Sequence, residues 1–339
     1  MNMKKNILLT GGTGFVASHT CLELTKAGFN PILFDNFSNS KEASLKAIED
    51  ITGMKPIFIR GDMNDIKDIE NIFKTTRIDA VIHFAGFKSV RESVINPMKY
   101  YTNNLIGSLN LLSVMQKYKV YNMIFSSSCT VYGSETDKPI SEDMLCLPKH
   151  AYGKSKFFIE NFIQDISYSN KDWRAISLRY FNPCGADNSG VIGEDPIGTP
   201  TNLMPYITKV AAKKLKILSI FGKNYNTKDG TAIRDYIHVS DIAIGHVLAL
   251  RHLEIMEGSM AVNLGSGIGY SVLDMVNTFQ KTTNIEIPYK FTDKGAGDAA
   301  IAYASVNKAK KILQWKATRS LEDMCKDAWN FQNRYPNGY

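Results

Sequence analysis

The chain has 339 residues, of which 44% are hydrophobic and 22% are charged, and its formal net charge is +7. This composition is typical of globular proteins, and the length allows two domains or one large domain with a smaller lobe. The basic residues are spread along the chain, which favours a small anionic substrate over nucleic acid. We therefore expect no nucleic-acid partner.

Neither a membrane nor a metal is predicted as a partner. No apolar run approaches the roughly 18 residues needed to cross a bilayer, and no signal peptide is visible, so we expect a cytoplasmic location. The five cysteines are far apart and odd in number, which favours reduced thiols over disulfides or a zinc site. The six histidines show no ligand spacing, so no metal site is predicted.

The first elements form a dinucleotide-binding pattern. A short apolar strand at residues 6–10 runs into a glycine-rich loop at residues 11–17 and then into an amphipathic helix. Glycines at such a turn let the backbone approach a pyrophosphate, whose charge the helix N-terminus stabilises. A second strand at residues 31–34 ends at Asp35, placed where an acid binds the adenosine ribose. Because that carboxylate would repel a 2′-phosphate, the pattern predicts NAD and not NADP.

Strands and helices continue to alternate along the first half of the chain. Further strands are predicted at 55–60, 80–86, 121–127 and 175–180, and long helices at 97–118 and 151–167. This alternation predicts an α/β fold, a Rossmann-type doubly wound parallel sheet with a smaller C-terminal substrate-binding domain. Ligands of such sheets bind at the carboxyl ends of the strands.

Tyr152 and Lys156 are predicted to lie one helical turn apart on the same helix face. A positive charge near a phenol favours the phenolate and lowers its pKa, so the pair predicts a base. The fifth strand brings Ser128 to the same sheet edge. Taken singly, the pair could be an ordinary surface helix, and Ser128 could be an ordinary turn residue at a strand end.

The glycine loop, Ser128, Tyr152 and Lys156, in this order, resemble the extended short-chain dehydrogenase/reductases. In that family the serine hydrogen-bonds the reacting oxygen and the tyrosine shuttles its proton. The lysine lowers the tyrosine pKa and holds the nicotinamide ribose. The resemblance implies these three catalytic roles for Ser128, Tyr152 and Lys156.

A more specific resemblance, to the UDP-glucose 4-epimerase family, runs nearly end to end. It is carried by residues 81–86, 179–183, 193–196, 202–206 and 233–239. It implies that NAD is held by Gly11, Gly14, Phe15, Val16, Asp35, Asn36, Asn39, Ser40, Asp62, Met63, Phe84, Ala85, Gly86, Lys88, Asn103, Tyr152, Lys156 and Phe181. It implies that a UDP-sugar contacts Lys88, Ser128, Tyr152, Asn182, Asn202, Leu203, Phe221, Arg234, Asp298 and Ala302.

The resemblance also implies a division of the chain and an assembly. Residues 1–181 would form the NAD-binding domain, joined by a helix near 241–252, and residues 182–339 would form the nucleotide-sugar-binding domain. The helices that begin near Pro97 and Ala151 would build a homodimer contact. Arg234 would bind the diphosphate, although a surface salt bridge to Asp235 is an alternative.

The expected reaction is the NAD-dependent 4-epimerisation of UDP-hexoses through a 4-keto intermediate. A dehydratase would need carboxylates just after the serine, where this chain has Cys129, Thr130 and Val131. Two alternatives stay open: an NAD-dependent nucleotide-sugar oxidoreductase, such as a 4-ketoreductase, with exchangeable cofactor, and a binding protein that has lost catalysis.

Two departures from the family pattern bear on the substrate. Lys294, Gly295 and Ala296 replace a stretch that usually carries an arginine for the diphosphate. Ala302 falls where restricted epimerases have a tyrosine, if the register is not shifted to the adjacent Tyr303. The small side chain predicts room for an N-acetyl group, so that UDP-GlcNAc and UDP-GalNAc are also interconverted.

Overall fold

The computed structural model describes residues 4–133, 137–294 and 299–339. Its helices are α1 (Phe15–Lys26), α2 (Ala43–Thr52), α3 (Ile66–Thr75), α4 (Val90–Ile95), α5 (Pro97–Tyr101), α6 (Gly107–Lys117), α7 (Ala151–Ser169), α8 (Leu203–Ala211), α9 (Val239–His252), α10 (Val272–Thr283) and α11 (Leu321–Arg334). Its strands are β1 (Asn6–Thr10), β2 (Asn30–Asp35), β3 (Ile57–Arg60), β4 (Ala80–His83), β5 (Asn122–Ser128), β6 (Arg174–Tyr180), β7 (Asn182–Cys184), β8 (Leu218–Phe221), β9 (Ile233–Arg234), β10 (Tyr236–His238), β11 (Gly258–Leu264), β12 (Tyr270–Ser271), β13 (Tyr289–Thr292) and β14 (Ile301–Ala302).

The chain forms two compact units. The first contains residues 1–133, 145–180 and 243–262, and the second contains residues 134–144, 181–242 and 263–339. The larger sheet has the strand order β11-β6-β5-β4-β1-β2-β3 in the described part of the chain, and its neighbours from β3 to β6 pair in parallel. This is the doubly wound order of a Rossmann fold, as the alternation predicts.

Burial explains why these short strands form a sheet. Ile7, Leu8 and Leu9 of β1 are fully buried, because helices cover both faces of the parallel sheet. α3 shows the matching helical pattern: Asp65 caps its N-terminus, and Ile69 and Ile72 lie in the core.

The second unit has its own core and smaller sheets. β7 pairs with β10, β8 with β13, and β9 lies between β12 and β14. α8, α10 and α11 contribute Ile207, Phe279 and Met324 to one buried cluster. Capping boxes at Ser271 and Ser320 begin α10 and α11, so local hydrogen bonds define these helix starts.

The predicted helix over residues 97–118 is not one regular α-helix. α5 and α6 are separated by a π-helical turn at Thr102–Ile106, which inserts extra backbone between them. Asn104, in this turn, is buried, and its amide exchanges hydrogen bonds of 2.8 and 3.1 Å with the backbone of Phe87. The chain stays helical from Pro97 to Lys117, so the predicted long helix is confirmed, and the π-helical turn with its tertiary contacts is the feature that the sequence did not predict.

The turn between β1 and α1 contains a glycine that the fold requires. Gly11 has φ of +65°, and a Cβ there would lie 2.8 Å from the backbone nitrogen of Ala85. Gly28, after α1, has φ of +87°, but a Cβ there would meet nothing within 4 Å. Both positions have a positive φ, but only at Gly11 would a Cβ clash with neighbouring backbone atoms.

We expect Gly11→Ala to lower the free energy of unfolding more than Gly28→Ala. Both substitutions place an alanine at positive φ, which costs about 1–2 kcal/mol. Gly11→Ala also forces backbone atoms apart, which adds about 1–3 kcal/mol. Urea denaturation of both variants measures the difference, and equal destabilisation would contradict the clash at Ala85.

Candidate active site

Asp35 is fixed at the carboxyl end of β2, beside the glycine turn. Its carboxylate accepts hydrogen bonds from the backbone nitrogens of Thr13 (3.2 Å) and Phe37 (2.8 Å) and from the hydroxyl of Ser40 (3.1 Å). Gly14 is the N-cap of α1, so the first turn of a 12-residue helix begins at this loop. A loop of this kind suits a dinucleotide, because Gly11 has no side chain at the turn and Asp35 ends the next strand, where the sequence pattern predicts the acid for the ribose.

Other predicted NAD residues lie in the same unit as Asp35. Asp62 accepts hydrogen bonds from the side chain of Asn36 (3.0 Å) and the backbone of Asn64 (2.8 Å). Partial burial opposes the charge of Asp62, but these hydrogen bonds outweigh it and lower its pKa. Asn64 also donates to the side chain of Asn103 in the π-helical turn, at 3.3 Å. This network ties three of the predicted NAD residues together.

The remaining NAD candidates occupy different surroundings. Phe84 packs on the ring of His246, with 4.9 Å between the ring centroids. Asn39 and Lys88 are exposed. Phe181 is buried and belongs to the second unit, one residue past the end of β6. The other candidates lie at α1 or at the ends of β3 and β4: Phe15, Val16, Met63, Ala85 and Gly86.

Ser128 and Tyr152 are hydrogen-bonded to each other at the end of β5. The Ser128 oxygen accepts hydrogen bonds from the backbone and the hydroxyl of Thr130, at 3.2 and 3.0 Å. Its own hydrogen is therefore available for the Tyr152 oxygen. Such a donor stabilises a phenolate more than a phenol.

The pKa of Tyr152 does not follow the expectation from the sequence. Burial raises the pKa of Tyr152 to about 12, although the hydrogen bond from Ser128 opposes the change. Burial also lowers the pKa of Lys156 to about 8. The expected lowering of the Tyr152 pKa by the neighbouring lysine is therefore not seen, because both groups are taken out of water and desolvation disfavours both charges.

Lys156 is held by the strand on which Ser128 lies. Its ammonium donates a 2.6 Å hydrogen bond to the Ser126 carbonyl oxygen and lies 4.8 Å from the centroid of the Phe125 ring. Lys156 is 4% exposed, so these contacts replace most of its hydration. The helical spacing predicted from the sequence thus places both side chains at the sheet edge.

Two buried polar groups beside this pair were missed in the sequence. His83, on β4, contacts the hydroxyls of Thr10 (2.6 Å) and Ser108 (2.8 Å), and burial lowers its pKa to about 3. Glu160, on α7, forms a buried ion pair with Arg179. A histidine in an apolar strand, and a carboxylate four residues after Lys156, were the available signals.

The predicted sugar-nucleotide residues of the second unit include Arg234, on β9. Its guanidinium donates to the backbone oxygen of Ile233 (2.8 Å), and the described residues include no salt bridge to it. Asp235 is buried and instead accepts hydrogen bonds from the backbone of Ser266, Gly267 and Ala304, at 2.7 to 3.0 Å. The alternative of an Arg234–Asp235 salt bridge is therefore wrong.

Ala302 is the direct partner of Arg234 in the pairing of β14 with β9. The adjacent Tyr303 donates its hydroxyl to the Asp137 carbonyl oxygen, at 3.2 Å. Neighbouring residues of an extended chain point to opposite sides, so Ala302 and Tyr303 do not share surroundings. Lys294, which follows β13, lies over the Tyr225 ring, 4.1 Å from its centroid.

The other sugar-nucleotide candidates are found on three elements. Asn202 is the N-cap of α8 and donates to Glu194 at 2.7 Å, and Leu203 follows it in the helix. Asn182 begins β7, and Phe221 ends β8 with 51% of its surface exposed. Asp298 lies outside the described residues.

The described residues carry neither a membrane-spanning helix nor a cluster of metal ligands. None of the helices there combines the length and apolar character that crossing a bilayer requires. Within the same ranges, no group of three or more His, Cys, Asp or Glu side chains could hold a metal ion.

Comparisons with known proteins agree with this geometry. The model of the NAD dependent epimerase/dehydratase family matches residues 7–265. The chain is 48% identical to a UDP-glucose 4-epimerase of Dictyostelium discoideum over 334 residues, which cover 98% of this chain and 97% of that protein.

Two solved structures extend the similarity to the fold. A crystal structure of UDP-glucose 4-epimerase from Bifidobacterium longum, in complex with NAD+ and UDP, has a TM-score of 0.96 and 45% identity, covering 99% of this chain and 100% of that one. The UDP-Glc/GlcNAc 4-epimerase from Campylobacter jejuni has a TM-score of 0.84 and 32% identity, covering 97% and 99%. The chain belongs to the UDP-glucose 4-epimerase family, within the NAD dependent epimerase/dehydratases and the extended short-chain dehydrogenase/reductases.

Proposed function

We propose that this protein is an NAD-dependent UDP-hexose 4-epimerase that works through a 4-keto sugar. The observation that carries the proposal is the meeting of α7 with the end of β5. There Lys156 donates to the Ser126 carbonyl oxygen at 2.6 Å, and Tyr152, one helical turn away, interacts with Ser128. NAD is the cofactor of the family, and the glycine turn and Asp35 of this chain fit a dinucleotide. Full-length similarity to UDP-glucose 4-epimerases supports the substrate class.

Inverting a carbon that bears hydrogen and hydroxyl requires breaking a C–H bond that is too weakly acidic to lose a proton unaided. NAD, when bound, supplies a reversible hydride acceptor and, in its oxidised form, a positive charge. A nearby positive charge favours the phenolate of Tyr152, whose pKa burial otherwise raises. Tyr152 would take the proton of the sugar O4 and later return it. Ser128 would donate a hydrogen bond to the same sugar oxygen, O4.

The second unit would supply the nucleotide-binding groups. Arg234 lacks a carboxylate partner among the described residues, so its guanidinium is available to bind a diphosphate. Asn202 and Phe221 would contribute further contacts. By the family assignment, the NAD residues other than Phe181 belong to the first unit. The UDP-sugar residues belong to both units, with Lys88, Ser128 and Tyr152 in the first.

We expect purified protein to interconvert UDP-glucose and UDP-galactose without added NAD, because the redox change over the cycle is zero and the cofactor is recycled. Tyr152→Phe should lower kcat by at least about 100-fold while leaving the bound NAD in place. Proton NMR resolves the C4 epimers, and release of NAD by denaturation gives its occupancy. Turnover that depends on stoichiometric external NAD or NADH would favour the 4-ketoreductase alternative.

We also propose that UDP-GlcNAc and UDP-GalNAc are substrates. Ala302 presents only a methyl group beside Arg234, and the hydroxyl of Tyr303 is engaged with Asp137, so Tyr303 does not replace the missing bulk. The similarity to the Campylobacter jejuni enzyme, which is described as acting on both Glc and GlcNAc forms, is compatible with this range.

Ala302→Tyr should lower kcat/KM for UDP-GlcNAc by about 100-fold, because the ring would fill the space for the N-acetyl group. The same variant should retain most of its activity on UDP-glucose. Ala302→Ser is the matched control and should keep both activities. If the parent does not act on UDP-GlcNAc, or Ala302→Tyr leaves that activity unchanged, the extended range is wrong.

We propose that two copies of the chain associate through α4 to α7. Val94, Ile95 and Met98 are 66%, 75% and 67% exposed, and Phe158 on α7 is 40% exposed. Apolar side chains concentrated on adjacent helices favour association with an apolar surface. The family resemblance, which implies a homodimer contact through the helices that begin near Pro97 and Ala151, supports a second copy of the chain as that partner.

Light scattering after size exclusion should give a dimer at micromolar concentration. Ile95→Glu should shift the mass towards the monomer, because a charge would be buried in the contact. Ile255→Glu is the matched control, since Ile255 is 80% exposed in the same unit but lies outside these helices. A monomeric parent would contradict the proposal.

A further inference from the structure

Three side chains on one face of α7 contact three consecutive serines of β5. Tyr152, Lys156 and Glu160 are four residues apart, so they lie one above the other along the helix. Each contacts a different member of residues 126–128, through a hydroxyl, a carbonyl oxygen and a hydroxyl respectively. The Tyr-x-x-x-Lys spacing thus continues for another turn.

Glu160 accepts three hydrogen bonds. They come from the Ser127 hydroxyl at 2.5 Å and from one edge of the Arg179 guanidinium, through Nε at 3.0 Å and Nη2 at 2.6 Å. Arg179 also donates to the Tyr132 hydroxyl at 2.9 Å. The carboxylate therefore joins α7 to Ser127 of β5 and to Arg179 of β6. Through Arg179 the link extends to Tyr132, in the turn after β5.

This ion pair is buried, with 8% of the Arg179 side chain and 9% of the Glu160 side chain exposed. Burying two charges carries a large desolvation cost, so this ion pair by itself adds little to the stability of the fold. A role in the site would explain why it is placed here. Ser127 lies between the residue that binds Lys156 and the residue that binds Tyr152.

We propose that Glu160 is a positioning residue for the Tyr152–Lys156 pair. Through Ser127 it fixes the strand end that carries both partners of the pair, and its negative charge favours the Lys156 ammonium. The inference rests on the epimerase function proposed above and assigns no contact between Glu160 and the substrate.

The charge of Glu160 acts on a lysine that titrates close to neutral pH. Burial lowers the pKa of Lys156 to about 8, and Glu160 opposes that change. The titratable groups that face this cluster from the surrounding elements are His83, Cys129, Tyr132, Cys146, Tyr152, Arg179 and Tyr180.

Several of these neighbours keep one charge state between pH 6 and 9, an assay window of about three units around the lysine pKa. Burial lowers the pKa of His83 to about 3, so it is neutral there. Burial raises the pKa of Cys146, of Tyr180 and of Tyr152, so these are neutral as well. Pairing with Glu160 outweighs burial and raises the pKa of Arg179, which stays charged.

Glu160→Gln keeps the shape of the side chain and removes its charge. We expect kcat about 10- to 100-fold lower with KM nearly unchanged, because the reacting groups are misplaced and not the UDP anchor. Without the carboxylate, and with Arg179 unpaired, the Lys156 pKa should fall further. The alkaline limb of kcat should then move to lower pH by about one unit.

Ser127→Ala separates the two effects, because it breaks the link to the strand and leaves the ion pair intact. It should lower kcat by about tenfold without moving the alkaline limb. Asp165→Asn is the matched control, since it neutralises an exposed carboxylate on the same helix and should behave like the parent. If Glu160→Gln does not fold, the neutral double variant Glu160→Gln/Arg179→Gln still tests the loss of kcat. Its alkaline limb should move less, because the positive charge of Arg179 is removed as well.

A readout besides activity is the titration of Lys156 by NMR of ε-13C-lysine protein, with its resonance assigned through Lys156→Arg. If the proposed epimerase function is wrong, the parent protein will be inactive. The NMR titration tests the effect of Glu160 on Lys156 whether or not the parent is active. A folded Glu160→Gln with the parental Lys156 titration and kcat would overturn the inference. So would a kcat loss that only follows the unfolded fraction.

Discussion

The contact between α7 and the carboxyl end of β5 is the interaction on which the candidate site depends. Lys156 donates to the Ser126 carbonyl oxygen at 2.6 Å, and Tyr152 is hydrogen-bonded to Ser128. Because side chains four residues apart lie on the same face of a helix, and the strand is extended, α7 can contact β5 through more than one residue. Fixing two reactive side chains to one strand end limits their motion relative to each other, as acid–base catalysis on a single oxygen requires.

The same burial that orders these groups makes their charged forms costly. The pKa of Tyr152 rises to about 12 and that of Lys156 falls to about 8, since both are desolvated. A phenol in this state acts as a base only when a further positive charge or donor favours its anion. Ser128 supplies a hydrogen-bond donor. A cofactor that carries positive charge in its oxidised form would supply the charge that favours the phenolate. Under the proposed function, proton transfer by Tyr152 would therefore depend on the charge of the bound cofactor.

In the second unit, Arg234, which is proposed to bind the diphosphate, takes no part in the hydrogen bonds that Asp235 makes with the backbone. Asp235 is occupied by backbone donors from Ser266, Gly267 and Ala304, so it stabilises the loop and the strand end. Arg234, one residue earlier, is left without an acidic partner among the described residues. Ala302 lies beside it in the pairing of β14 with β9. This pairing is the position at which we propose that the substrate range is decided.

The sequence alone determined the α/β class, the glycine turn, the acid after β2 and the Tyr152–Lys156 face, because these features depend on local periodicity and on spacing within one element. Only the tertiary structure decided the π-helical turn at Thr102–Ile106 and the burial that reverses the expected Tyr152 pKa shift. It also decided the joining of Glu160 to Ser127 and Arg179. Each of these arises from contacts between residues distant along the chain, and the loss of water at such contacts has no signature in local sequence spacing.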